Sequence, residues 1–540
     1  MKFGQLIVIL TSILVSVIVV SGARTHNEPE PLVETKLGKA KGSILKTVRG
    51  VEFKAFRGIR YAQAPVVDKR FKAPESVNSW GKNTLDATKD GFKCPQPFLA
   101  KETMSEDCLF LNVYTKSLTG KKPVIVHIHG GANYFGSSDS ETEVGPEYLM
   151  DSNIVLVTIN YRLGALGFLS MKTKEAPGNY GYLDQVMALQ WVKDNIVSFG
   201  GNPDSVTISG QSSGGIAVTL HMASPLSKGL FHRAITMSGS GTNHFYVDSV
   251  AWTRRLATAL ACPMYNPKDV IDCLRQASWE KIIEVRGILE LYGFSDIQWG
   301  PEVDGHFLLD TPTNVFARGD FNKVDIIAGI TKDELNYLYE SQSSNIGLLN
   351  DISINFDKYA PQLFIFNSKD ENTIEKSDKI KKFYLKNKPI KDQAFSNFAV
   401  IFSDAIINHG VHRLVQLARK YVNVFYYRFD YLGRFSIFPD ENNKPRGVSH
   451  ADDLQYIFGN KWFGKRISQA DPEMFMVDRM TKWWTSFAKD GFPCTENDIK
   501  WLPSNKTHVY TMFNDKSIHL GPEPYQERYQ LWDEMFPVKK

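Results

Sequence analysis

The stretch Val206-Thr207-Ile208-Ser209-Gly210-Gln211-Ser212-Ser213-Gly214-Gly215-Ile216-Ala217-Val218-Thr219-Leu220 constrains this chain more than any other. A β-branched run meets an apolar run of helical character across a single GxSxG turn. A serine at such a turn is pushed out of the sheet edge with its hydroxyl exposed. The flanking glycines let the strand and the helix approach where a Cβ would clash. The helix that starts there aims its N-terminal dipole at any negative charge developing on a substrate. Ser212 is therefore the candidate nucleophile. The competing reading is an ordinary Gly-rich turn. The strand–turn–helix context and the single occurrence of the pattern among 540 residues favour the nucleophile.

Short apolar, β-branched runs recur along the chain. They include Val124–Ile128, Ile154–Ile159, Val206–Ile208, Ile235–Met237, Val324–Ile327 and Val424–Tyr427. Continuous apolar strands suit a sheet covered on both faces. Asp184 to Val197 places Val186, Leu189, Val192 and Ile196 at helical spacing. Alternating strands and helices predict an α/β fold, a doubly wound and mostly parallel sheet with helices on both faces. Residues 340–420 are more polar and helical, and are expected to form a cap or lateral region.

Acyl chemistry at a serine needs backbone N–H donors converging on the oxyanion. After the Val124–Ile128 run comes His129-Gly130-Gly131-Ala132-Asn133, where small residues expose such donors. The N–H of Ser213 would complete the set. The serine also needs a base, and the base needs an orienting acid. A nucleophile-elbow fold orders these as Ser, acid, His. That order favours His450, one of the 12 histidines, in the loop Gly447-Val448-Ser449-His450-Ala451-Asp452-Asp453. The acid lies in Thr331-Lys332-Asp333-Glu334, just past the end of a strand, where such sheets place their sites. Both Asp333 and Glu334 fit on these grounds.

The N-terminus carries Lys2, an apolar run from Leu6 to Val20, and Ser21-Gly22-Ala23. This predicts a signal peptide over residues 1–23, and a single mature domain over 24–540. The run is shorter than the roughly 20 residues that span a bilayer, so a stable membrane anchor is not expected. The expected destination is extracellular. Five cysteines fit an oxidising compartment. Local pairing, with Cys494 left over, is the simplest framework. Asn505-Lys506-Thr507 is a glycosylation acceptor. With 63 basic and 59 acidic side chains the net charge is +4, so no nucleic-acid partner is implied. Without CxxC or a histidine at ligand spacing beside a cysteine, no metal is expected, and no cofactor is called for.

These residues carry a resemblance. The chain is similar to the type-B carboxylesterases, the family that also holds the cholinesterases, over nearly the whole mature length. Ser105-Glu106-Asp107-Cys108-Leu109-Phe110-Leu111-Asn112-Val113-Tyr114 resembles the family's second signature, and Gly210–Gly215 its active-serine signature. Arg57–Ala62, Arg70-Phe71, Asn160-Tyr161-Arg162, Gly178–Gly181 and Asp184-Gln185 also match. The resemblance implies an α/β-hydrolase fold and a serine ester hydrolase working through an acyl-enzyme on a small hydrophobic ester. It implies Glu334 as the acid, His450 as the base, and Gly131, Ala132 and Ser213 as oxyanion donors. It pairs Cys94 with Cys108 and Cys262 with Cys273. It also implies ion pairs Arg70–Glu106 and Arg162–Asp184.

Four positions depart from the family pattern. Gln211 replaces the usual Glu, Ser213 the usual Ala, Asn133 an aromatic, and Leu335 a Gly. Gln before the serine resembles the insect juvenile hormone esterases. The Cys94–Cys108 loop holds no Trp with which to bind choline by cation–π attraction, so a cholinesterase is rejected. A juvenile-hormone-esterase-like or odorant- or pheromone-degrading role is the favoured use, with dietary or detoxifying hydrolysis and a lipase as enzymatic alternatives. The alternative of another class is a non-catalytic adhesion relative that keeps the fold and loses the triad.

Overall fold

The computed structural model describes residues 30–285, 298–335, 337, 345–390, 393–459, 466–493, 501–504, 510–513, 518–523 and 525–538. The leader residues 1–29, Cys494 and Asn505 lie outside the described residues. The N-terminal part forms β1 (Leu32–Thr35), β2 (Gly38–Lys41), β3 (Ser43–Lys46), β4 (Glu52–Arg60), β5 (Leu85–Asp86) and β6 (Phe110–Thr115). Then come β7 (Lys122–Ile128), β8 (Val155–Ile159), β9 (Gly201–Gln211), β10 (Arg233–Met237), β11 (Asp325–Thr331) and β12 (Val424–Phe429). The chain closes with β13 (Tyr510–Phe513) and β14 (Ile518–Gly521).

Eleven of these strands form one sheet in the order β14-β13-β12-β11-β10-β9-β7-β8-β6-β4-β3. Its centre, from β8 to β13, is parallel, and the antiparallel pairs are confined to the two flanks. The six apolar runs of the sequence all lie in this central part. β9 begins at Gly201, five residues before the β-branched run, because pairing of Lys122 with Gly201 extends the ladder into a polar stretch.

Alternate side chains of one strand face opposite sides of the sheet. Val124, Val126 and Ile128 of β7 belong to one apolar cluster, with Leu189 and Val192 of the helix Tyr180–Asn195. Ile125, between them, belongs to another, with Trp483, Trp484 and Phe487 of the helix Met474–Asp490. Both faces are dry, which is why these strands read as unbroken apolar runs. Residues 346–390 and 393–418 form a succession of helices packed into the first cluster.

Two disulfides, Cys94–Cys108 and Cys262–Cys273, close the loops that the resemblance pairs. The two ion pairs are also present. Arg70 Nε donates to Glu106 at 2.7 Å. Arg162 donates to both oxygens of Asp184 at 2.8 and 2.7 Å, and both residues are buried. Asp184 sits on the helix Tyr180–Asn195, and Arg162 follows β8, so this pair ties the helix to the sheet. Removing one member of a buried pair strands the other charge, at a cost of about 3–5 kcal/mol. Asp184→Asn is expected to lower stability by about 3 kcal/mol or more, read as a fall in the urea midpoint. An unchanged midpoint would show that the pair is not holding this helix.

Candidate active site

β7 sits between β8 on one side and β9 on the other, and β10, β11 and β12 follow outward from β9. The strand order therefore reverses between β7 and β9. Doubly wound sheets bind ligands outside the carboxyl ends of their strands at such a point. Gly130, Gly131 and Ala132 follow the end of β7, and Ser212 follows the end of β9. Register pairing of Ile128 with Gly210 brings the two ends level.

Ser212 has φ 58° and ψ −125°, a conformation rare for any residue with a side chain. The turn survives because its neighbours leave no alternative. A Cβ on Gly210 would lie 2.3 Å from the carbonyl oxygen of Gly214. A Cβ on Gly130 would lie 2.6 Å from that of Gln211 and 3.1 Å from Ser212 Cβ. Both glycines are thus required by close approach. The N–H of Ser212 donates to the Met237 carbonyl on β10 at 2.8 Å. Ser213 opens the helix Ser213–Ala223, where backbone N–H groups have no partner within the helix. Gly131, Ala132 and Asn133 all have positive φ, at 104°, 54° and 63°. The Asn133 N–H donates to the Ser213 hydroxyl at 3.2 Å, and the Asn133 side-chain amide donates to Tyr182 at 3.0 Å. Two of the residues that depart from the family pattern thus join the β7 loop to the serine turn.

Glu334 follows β11 and is fully buried. Its Oε1 accepts from the Thr331 N–H at 2.7 Å, and its Oε2 meets His450 Nδ1 at 2.5 Å. The Glu334 carbonyl also accepts from the His450 N–H at 2.7 Å. Asp333 is turned the other way. Its Oδ2 accepts from the Val448 N–H at 3.0 Å, steadying the loop that carries the histidine. The two acids that the residues alone left open therefore have separate places. The Leu335 N–H donates to Ser403 Oγ at 3.0 Å. Ser403 begins the π-helical turn Ser403–Asn408, whose Ile406 and Ile407 line the cavity at Ser212. Such turns often mark functional sites.

That cavity has a volume of about 830 Å³. Ala132, Ser212 and Ser213 line it, together with the apolar Trp299, Val247 and Leu308.

Three features were not legible in the motif. Gln211 places its side-chain nitrogen 3.1 Å from His450 Nε2. Asp452 accepts from Ser436, Ile437 and Ser449, and burial pushes its carboxyl up to about 7. Asp453 accepts from the Tyr427 hydroxyl at 2.6 Å and is pushed up to about 6 by burial. Only the run of two acids after His450 hinted at the last two. Among the described residues, no group of side chains is arranged to hold a metal ion.

Residues 29–532 match the carboxylesterase family. The chain belongs to the carboxylesterase family. This carboxylesterase is 36% identical to esterase FE4 of Myzus persicae over 505 residues, covering 88% of this chain and 87% of that one. It is 34% identical to the juvenile hormone esterase of Tribolium castaneum over 513 residues, 89% of this chain and 87% of that one. Its fold matches the crystal structure of juvenile hormone esterase from Manduca sexta with OTFP covalently attached. The TM-score is 0.85 at 27% identity, over 94% of this chain and 100% of that one. The fold is that of an α/β-hydrolase, and the protein is a carboxylic ester hydrolase.

Five histidines of the carboxylesterase are buried neutral, among them His244, which burial pushes well below the usual imidazole range. Burial lowers His127 and His221 to about 3, and His129 and His409 to about 4. Unfolded, each would take up a proton near 6.5. The unfolded state therefore binds more protons below pH 6.5, and these groups lose stability as pH falls. Asp452 and Asp453 act in the opposite sense, since the folded state protonates them first. Five groups outweigh two. The melting temperature is expected to drop by about 5 °C or more between pH 7 and pH 5. Calorimetry that finds it flat or rising over that range would contradict this.

Proposed function

We propose that this carboxylesterase is a secreted enzyme that hydrolyses neutral, largely apolar carboxylic esters through a Ser212–His450–Glu334 triad. The observation that carries the reading is the 2.5 Å contact between His450 Nδ1 and Glu334 Oε2. Ser212 lines the cavity, and Gln211, the residue before it, places its amide nitrogen 3.1 Å from the other ring nitrogen. Ser212 Oγ attacks the ester carbonyl while His450 Nε2 takes its proton. Glu334 holds the ring and stabilises the imidazolium. The N–H groups of Gly131, Ala132 and Ser213 receive the oxyanion. His450 then gives the proton to the departing alkoxide, leaving Ser212 acylated. Water, deprotonated by His450, attacks the acyl group; the bond to Ser212 Oγ breaks, His450 returns the proton to that oxygen, and the acid leaves.

The leader-like segment and the two disulfides support secretion. No described helix is long and apolar enough to cross a membrane. The apolar cavity supports the substrate class, because burying hydrocarbon yields roughly 25 cal/mol per Å². Gln211 puts no negative charge beside the nucleophile, so a cationic ester gains no electrostatic support there. Two of the similar proteins are juvenile hormone esterases, which brings juvenile hormone into the substrate panel beside odorant-like acetates.

Ser212→Ala is expected to retain less than about 1% of wild-type turnover while staying folded. Glu334→Gln is expected to cut kcat by about a thousandfold. Asp333→Asn, whose amide oxygen still accepts from Val448, is expected to keep most of the activity. The opposite order of the last two would move the acid. For substrate class, the comparison is kcat/KM for butyrylcholine against a neutral butyrate of similar size, with juvenile hormone and a long-chain acetate alongside. The neutral esters are expected to win by about tenfold or more, equivalent to about 1.4 kcal/mol. Equal or better turnover of the choline ester would overturn the class.

A further inference from the structure

We infer that Gln211 is a positioning residue for the base: its side-chain amide donates to His450 Nε2 and so favours the neutral ring with Nδ1 protonated. This rests on the reading of His450 as the base.

The tautomer follows from the partners. The Glu334 carboxylate only accepts, so His450 Nδ1 carries the hydrogen in the 2.5 Å contact. In a neutral ring Nε2 is then an acceptor, and only the NH₂ end of an amide can face it. Gln211 Nε2 stands 3.1 Å away, on the last residue of β9, and the side chain is buried. Pairing of Gln211 with Met237 on β10 anchors it. Its oxygen points towards Gly130, where a Cβ would come within 3.0 Å of it. The amide is therefore delivered from a rigid strand, with room made for it by a glycine.

This arrangement discriminates between the two states of the ring. Neutral His450 accepts from Gln211. Once Nε2 has taken the Ser212 proton, it is itself a donor, and two donors face each other. The imidazolium is thereby turned away from Gln211 and towards the oxygen that will leave. Gln211 moves no proton. The proton passes from Ser212 Oγ to His450 Nε2 and on to the leaving alkoxide. The other charged or titratable groups around the ring are Glu334 from the end of β11 and Asp453 from the ring's own loop. Tyr427 from β12 is bonded to Asp453, and Tyr337 lies near Glu334. The acidic side of the ring is thus already occupied. A carboxylate at position 211 would place negative charge at both ring nitrogens and favour the imidazolium at rest.

The test is the pH profile of kcat/KM on a neutral ester for the wild type, Gln211→Glu, Gln211→Met and His450→Ala. Gln211→Glu is expected to raise the midpoint of the acid limb by about one unit. Gln211→Met removes the donor without adding charge, and is expected to raise it by about half a unit. In both, the loss is greatest at low pH and shrinks as pH rises. The inference is overturned if both midpoints stay where they are, or if activity falls by the same factor at every pH, as a purely structural role would give. If Gln211→Glu does not fold, an unmoved midpoint in Gln211→Met is enough to overturn it. His450→Ala separates the two failures. An inactive His450→Ala with unmoved Gln211 profiles removes only this inference. An active His450→Ala removes the base assignment and the inference with it.

Discussion

The close approach of two strand ends fixes everything else in this site. β7 and β9 run side by side at the reversal of strand order, and the loops leaving them must pass through the same space. Only glycine fits at 130 and 210, and the serine between the strand and its helix is held at positive φ. A conformation of that kind costs of order 1–3 kcal/mol and persists where the surroundings over-determine it. Here the surroundings are the Met237 carbonyl, the packed glycines and the Asn133–Ser213 contact. The strain is offset by the apolar clusters on the two faces of the sheet, which hold the strands in place.

From that point the site spreads outward through buried polar contacts. Glu334 is fixed from its own strand end, and Ser403 holds the next residue, Leu335. Ser403 starts a π-helical turn whose Asp404 accepts from Tyr384 at 2.6 Å and pairs with Arg528 of the helix Gln526–Met535. The same turn supplies two apolar residues to the cavity wall. The C-terminal helix, the cavity and the acid are thus linked through one segment. Glu334, Ser403, Asp404 and Tyr384 are buried, so each must be satisfied, and the loss of one partner would leave the others facing the desolvation penalty.

The sheet and the serine turn were legible because their physics is local. Apolar runs covered on both faces read as unbroken β-branched segments, and a glycine-flanked serine between a strand and a helix has few other uses. His450 was legible only through the order of the motifs, and the choice of Glu334 over Asp333 came from family resemblance. In the structure the two neighbouring side chains meet different partners: Glu334 the ring, Asp333 the Val448 N–H. What stayed hidden depends on contacts across long sequence separations. Gln211 was visible as a departure from the family pattern, but its partner is 239 residues away. Ser403 lay in a stretch that read only as polar helix. No local period or spacing encodes such meetings.

The central claim is that Ser212, and no other hydroxyl, is the nucleophile. Its neighbour Ser213 lines the same cavity and is the natural competitor. Labelling the wild-type protein with a fluorophosphonate, followed by peptide mass spectrometry, decides between them. The account predicts one adduct per chain, on Ser212 Oγ, with loss of turnover in proportion to labelling. An adduct on Ser213 or elsewhere, or full labelling with turnover intact, would contradict it.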